Sequence, residues 1–325
     1  MSPLARPSLR SGCSPCGLVF RLALEGAALL LASRADGADF FRVLVFSRTE
    51  AFRHESIPAG ISLIESLGTA HCFAVEATEN PDIFTPDNLA RYQVVVFLNT
   101  TGDVLDGPQE TAMDFFMHAG GGFVGVHSAA DTEYGWGFYG ECIGAYFADH
   151  PATQQATIVV ENNTHPSTQH LGTTWVRTDE WYNFQNNPRP VSNVLLRLDE
   201  STYTGGTMGD HPIAWTRDIA GGGRAFYTGL GHTTETYAEP AFRAHLLGGI
   251  LWAAGRTSNP PCGNGCDPDV NRDGASDQDD VAMLINVIAG APDPVGIDPD
   301  FDRDGNADQS DVASLINVVA GGSCP

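Results

Sequence analysis

Apolar residues occur along this chain in short continuous runs separated by polar, glycine-rich breaks, the pattern of strands buried on both faces. Phe41 to Ser47 (Phe-Arg-Val-Leu-Val-Phe-Ser) is one such run, Gln93 to Asn99 (Gln-Val-Val-Val-Phe-Leu-Asn) is another, and a strand near Cys72–Glu76 lies between them. Helix signals fill the gaps. Pro58 stands in the first turn of a helix predicted around Ile57–Leu67, Thr85-Pro86-Asp87 reads as N-cap and N1 of a second, and Pro108–Ala119 as a third. Gly120 to Asp131 (Gly-Gly-Gly-Phe-Val-Gly-Val-His-Ser-Ala-Ala-Asp) then combines a glycine hinge, an apolar run too short for a helix, and polar groups where that strand ends. Strands alternating with helices at this spacing predict an α/β domain, a parallel sheet covered by helices on both faces.

The second half is less regular. Thr157–Glu161, Val194–Leu198 and Ala225–Thr228 are short strand candidates between polar, aromatic loops, and Pro240–Gly255 is a helix with Phe242, Leu246, Leu247, Ile250 and Leu251 on its buried side. Arg256 to Pro261 has linker composition. The predicted organisation is an export signal over 1–35, an α/β domain over 36–255, a linker over 256–265 and a small module over 266–325.

That module is an internal repeat. Asp269-Val270-Asn271-Arg272-Asp273-Gly274 returns as Asp300-Phe301-Asp302-Arg303-Asp304-Gly305, each leading into a short amphipathic helix. The spacing is that of an EF-hand-type calcium loop. Asp269, Asn271, Asp273, Asp277 and Asp280 fall at positions 1, 3, 5, 9 and 12, with the Ala275 carbonyl at 7; Asp300, Asp302, Asp304, Asp308 and Asp311 match them, with Asn306 at 7. The module resembles a type I dockerin: two loop-helix units with Asp at position 12. The resemblance implies an all-α fold that forms on Ca2+ and a cohesin-like protein partner. Ser276 and Ala307 depart from the β-branched apolar residue usual at position 8.

Charge narrows the chemistry. All 17 basic residues are arginine, which excludes Schiff-base lysine chemistry, a lysine-anchored pyridoxal cofactor and a Walker A loop. A net charge of −23 argues against nucleic acid or an anionic lipid bilayer as partner. Nearly half of that excess lies in 262–325, which holds 13 Asp and no Glu, as oxygen ligands for a hard cation require. At the other end, Arg6 and Arg10, the apolar stretch from Leu18 to Leu31 and Ser33-Arg34-Ala35 read as an export signal, placing the mature protein outside the cytoplasm. Cys13 and Cys16 leave with that signal. Cys262 and Cys324 can staple the acidic module, with Cys266 as a competing partner, and Cys72 and Cys142 either pair or stay as buried thiols.

Several uncommon polar motifs recur in order: Phe52-Arg53-His54-Glu55-Ser56-Ile57-Pro58, Gly120 to Asp131, Tyr146 to Pro151, Thr178-Asp179-Glu180-Trp181-Tyr182, His211-Pro212-Ile213-Ala214-Trp215 and Tyr227 to His232. Together they resemble the ThuA (trehalose-utilisation) family over about residues 41–255. The resemblance implies a flavodoxin-like fold of the class I glutamine amidotransferase-like type. In amidotransferases the turn after the corresponding strand carries a Cys nucleophile; here it carries His127, so glutamine amidotransferase chemistry is not expected. His232 and Glu235 resemble the second pair of that constellation.

The candidate catalytic residues are His54, His127, Glu180, His211 and His232, with Asp131, Trp181 and Trp215 for substrate. Histidines from separate loops at one sheet edge have two uses. They can ligate a divalent metal such as Zn2+ with a carboxylate as oxygen ligand or base, or they can move protons on a sugar without metal. Trp136, Trp181 and Trp215 are either core residues or sugar platforms, and His150 and His165 read as loop or cap residues. The family context implies a carbohydrate substrate, an oxidised (keto) disaccharide or glycoside, cleaved by lyase or hydrolase chemistry. A non-catalytic carbohydrate-binding or scaffold component is the rival reading.

Overall fold

The computed structural model describes residues 41–256 and, beyond them, 268–293, 295, 297, 299–302 and 306–322. The export signal, Cys13, Cys16, Cys262, Cys266, Cys324, Asp304 and all of the linker but Arg256 lie outside the described residues.

The first half alternates as its pattern predicts: β1 (Phe41–Phe46), α1 (Ile57–His71), β2 (Phe73–Thr78), α2 (Pro86–Leu89), β3 (Val94–Leu98), α3 (Gly107–His118) and β4 (Gly122–Val126). The Thr85 cap is the one the sequence signals, and α3 has one of its own. Thr85 accepts from the Asn88 amide, and Asp106 with Gln109 forms a reciprocal capping box that starts α3. The second half runs α4 (Gly137–Ile143), β5 (Phe147–Asp149), β6 (Gln154–Val160), β7 (Thr174–Asp179), β8 (Asn183–Phe184), β9 (Asn193–Asp199), β10 (His211–Asp218), β11 (Arg224–Thr228) and α5 (Pro240–Ala253).

One nine-stranded sheet carries the domain, in the order β2-β1-β3-β4-β11-β10-β9-β6-β7. The first five are parallel, in the flavodoxin-like 2-1-3-4-5 order counted among themselves; the other four continue the sheet antiparallel. The expected parallel sheet is therefore half of the real one. β3 and β4 are buried along their whole length. Above β4 the backbone of α5 comes so close that a Cβ on Gly122 would sit 2.4 Å from the Ala253 carbonyl oxygen, so only glycine fits.

Direction of travel decides where the polar loops emerge. β1, β4 and β11 run parallel, so the chain leaves all three at one edge, and the alternation of β10, β9 and β6 brings β7 back to run the same way. His54, His127, His232 and Glu180 follow those four strands in turn and are delivered to a single edge.

Two loops become strands. Thr178-Asp179 ends β7 and His211 to Trp215 opens β10. Cys142 is a free buried thiol while Cys72 is disulfide-bonded, so the two do not pair.

The C-terminal segment forms α6 (Gln278–Ile288) and α7 (Gln309–Val319) around a small core of Val270, Leu284, Phe301 and Leu315. Asp280 and Asp311 are wholly buried, and each carboxylate accepts two backbone amides: Asn271 and Asp277 for the first, Asp302 and Asp308 for the second. Gly274 adopts φ +92° at the bend of the first loop. Among the described residues, no helix is long and apolar enough to cross a membrane.

Candidate functional site

β4 hands the chain directly to His127, which takes φ +50° at a strand-to-turn corner. A left-handed conformation at a non-glycine residue with a large ring is strained, and such strain persists where surrounding contacts hold it. Here they do. The His127 carbonyl accepts from Tyr227 Oη at 2.9 Å, the Tyr182 ring packs against the imidazole with centroids 4.2 Å apart, and Nδ1 is 2.9 Å from the Gly229 carbonyl. A carbonyl can only accept, so Nδ1 carries the proton and Nε2 presents its lone pair.

That lone pair points into a cluster. His127 Nε2 lies 3.3 Å from His232 Nδ1 and 3.4 Å from Glu180 Oε2, and His232 Nδ1 is 3.2 Å from the same carboxylate oxygen. His54 closes the group, its ring centroid 4.8 Å from that of His127 and 5.2 Å from that of His232. One ligand atom from each of His54, His127, Glu180 and His232 falls within 4.8 Å of all the others. Three imidazoles and a carboxylate at this spacing match the donor types of a zinc-class site.

The electrostatics set a neutral His54 beside an ionised acid. Burial, assisted by the neighbouring His127 and His232, pushes the pKa of His54 down to about 3. Burial alone would raise the Glu180 carboxyl, but the neighbouring imidazoles of His127 and His232 hold it well below the usual range. A hydrogen bond to Glu180 raises the pKa of His232.

A second layer fixes these groups. Asp179, wholly buried, accepts the amides of Gly231 and His232 at 3.1 Å each and pairs with Arg177 at 3.2 Å. Ser128 Oγ is 3.3 Å from His54 Nδ1. His150 Nδ1 lies 3.0 Å from Glu180 Oε1, so this residue, expected in a loop or cap role, joins the edge of the cluster. Asp131 ends the turn that His127 begins; burial raises its carboxyl against the opposing hydrogen bond from Tyr134 Oη at 2.7 Å.

The remaining candidates are placed differently. His211 is buried away from the donor set, with Nε2 2.8 Å from the Tyr182 carbonyl and Nδ1 2.8 Å from Glu200 Oε1. It holds the backbone of the tyrosine that packs on His127. Trp181 and Trp215 are wholly buried, and their indole N–H groups donate to the carbonyls of Gln154 and Ile143. Neither offers a ring face to a ligand; both serve the core. Glu235 is exposed, and the carboxylate beside His232 is Glu180. His165 is buried against Ser167.

Ser128, Asp179, Tyr182 and His150 are contacts of the site that all lie inside the polar motifs of the sequence, where their signal is present without its meaning. Aromatic surface near the cluster comes instead from Phe52, 65% exposed with its ring edge-on to His54 at 4.9 Å, and from Tyr134, also exposed.

Known proteins support the same frame. The family model for trehalose utilisation, ThuA, matches residues 42–253. A comparison with curated proteins finds no match. Among solved structures, a ThuA-like protein from Bacteroides uniformis is 23% identical, covering 70% of this chain and 98% of that one at a TM-score of 0.58. A ThuA-like protein from Parabacteroides merdae is 18% identical, covering 68% and 92% at a TM-score of 0.59. At these identities the structures establish the shared fold. The match to the family model spans most of the chain and includes every strand of the nine-stranded sheet except the first residue of β1, and so the chain belongs to the ThuA, trehalose-utilisation, family.

Proposed function

We propose that His54, His127, Glu180 and His232 hold a divalent metal of the zinc class, and that the site acts on a carbohydrate bearing a ketone. The observation that carries this reading is the fixed tautomer of His127. A proton tied to the Gly229 carbonyl leaves Nε2 free as a donor, facing two further donors within 3.4 Å. The depressed pKa of His54 supports it, because a neutral imidazole is the ligating form.

A metal bound there supplies Lewis-acid polarisation of a carbonyl or hydroxyl oxygen. The residues at the edge supply the rest. Asp131, its carboxyl raised by burial and oriented by Tyr134, and His150, beside Glu180, are the groups that can take a proton from the carbon next to a substrate ketone. When that proton leaves, the C–H electron pair becomes a C=C bond, the glycosidic C–O bond on the adjacent carbon breaks, and the departing oxygen takes up a proton. Phe52 and Tyr134 offer apolar ring surface to sugar C–H faces.

Around this core we read an exported protein tethered through its acidic module, in which the paired Asp loops take Ca2+. Support for the calcium sites comes from the repeated 1, 3, 5, 9, 12 spacing and from burial of the Asp at position 12 in each loop. Turnover assays of the full chain on 3-keto-disaccharides and 3-keto-glucosides, after chelation and metal return, test the main reading. Metal-dependent cleavage supports it. Tight binding of the same sugars without turnover would make the protein a binding component instead.

A further inference from the structure

A second acidic group lies apart from the histidine cluster. Glu133, 1% exposed, has φ +54°, and its Oε1 accepts the amides of Val104 and Leu105 at 2.8 Å each. Its Oε2 is buried with no hydrogen-bond partner. An orphaned carboxylate oxygen in the interior is costly unless a cation or a proton meets it. One carboxylate oxygen each from Asp103, Glu110 and Glu133 lies within 4.8 Å of the other two, and among the described residues none of the three pairs with an arginine or histidine.

We infer that Asp103, Glu110 and Glu133 form a site for a hard divalent cation of the calcium class. The donors are all carboxylate oxygens. Glu133 is held rigidly by two amides, while Asp103 is exposed, which leaves room for the waters that complete a calcium shell. Its position gives it a purpose. The Gly102 amide donates to the Asp131 carbonyl at 2.9 Å, and the Glu133 amide donates to the Gly102 carbonyl at 3.0 Å. A cation there clamps the loop after β3 to the segment that begins at His127 and carries Asp131. The inference does not depend on what the histidine cluster binds.

Terbium(III), a luminescent substitute for calcium, tests it in the full chain. Tyr146 Oη donates to the Glu133 carbonyl at 3.0 Å, so a sensitising ring adjoins the site, while residues 257–325 contain no Tyr or Trp. Emission sensitised through tyrosine should saturate and be reversed by Ca2+. Glu133→Gln, which keeps an acceptor for the two amides, and Asp103→Asn, at an exposed position, should each weaken terbium binding about tenfold or more. Identical titrations for wild type and both variants would overturn the site. So would a Glu133→Gln chain that melts higher while binding terbium unchanged, which would assign the orphaned oxygen to a proton shared between carboxyls.

Discussion

His127 and Glu180 meet at 3.4 Å, Nε2 to Oε2, while the opposite nitrogen of the imidazole is pinned 2.9 Å from the Gly229 carbonyl. Turning the ring over would leave a buried carbonyl without its donor and put a ring C–H where Nε2 faces the cluster, so the ring has one useful orientation. The site is thus preorganised by backbone groups of the turn after β11, and its properties should respond to residues that never touch a ligand.

Asp179 is the clearest such residue. It accepts the Gly231 and His232 amides and neutralises Arg177, fixing the turn from which His232 projects. Asp179→Asn should lower metal affinity roughly 10–100-fold, measured by competition with a chromophoric chelator, while Asn at an exposed acid such as Asp87 should leave it unchanged.

Phe52 should contribute to sugar affinity and little to stability, because its ring is exposed. Phe52→Ala is expected to weaken binding of a keto-disaccharide by about 0.5–1.5 kcal/mol, roughly 2- to 13-fold, with an unchanged melting temperature. Trp215→Ala should do the reverse. Its buried ring stacks near Tyr227 at 4.4 Å, so the loss should fall on stability, on the order of 3–5 kcal/mol.

Acid should weaken the fold through buried neutral histidines. His245 is wholly buried, bonded through Nδ1 to the Ser167 carbonyl and through Nε2 to Thr228 Oγ1, and burial pushes its pKa down to about 3. The unfolded chain binds that proton near pH 6.5, so stability is complete above that value. It then falls between pH 6.5 and 3, by up to about 1.4 kcal/mol per pH unit for this residue. His245→Gln should reduce the slope of stability against pH across that window in urea melts, whatever it does to stability at neutral pH.

Packing of α5 has no slack at Gly248, where a Cβ would lie 2.3 Å from the Pro166 carbonyl group and 2.4 Å from the Ser167 amide. Both neighbours are backbone and cannot step aside. Gly248→Ala should cost roughly 2–3 kcal/mol or more, read as a lower urea midpoint.

Much of this architecture can be read along the chain, and the exceptions have identifiable causes. Runs such as Val94–Leu98 are buried on both faces and announce themselves by composition alone. β7 does not, because it buries Trp175, Arg177 and Asp179 while Val176 faces outward, inverting the usual alternation. β10 begins His-Pro, which reads as a turn; Pro212 is accommodated beside a register shift against β9. At the site, the histidines that follow parallel strands were legible because strand direction places them. His150 and Glu180 were harder: their meeting depends on four antiparallel strands whose order no local pattern encodes. The pairing of His232 with Glu180 in place of Glu235 has the same origin, since three residues of separation in sequence put Glu235 on an exposed turn.

The most direct test of the central claim is cobalt(II) substitution of the full chain, because visible bands are intense at low-coordinate sites with nitrogen ligands and weak at six-coordinate sites made of oxygen alone. One equivalent of Co2+ should give intense low-symmetry bands, and His54→Ala, His127→Ala and His232→Ala should each remove or reshape them in folded protein. Spectra and cobalt content that are the same in wild type and all three variants would contradict the account.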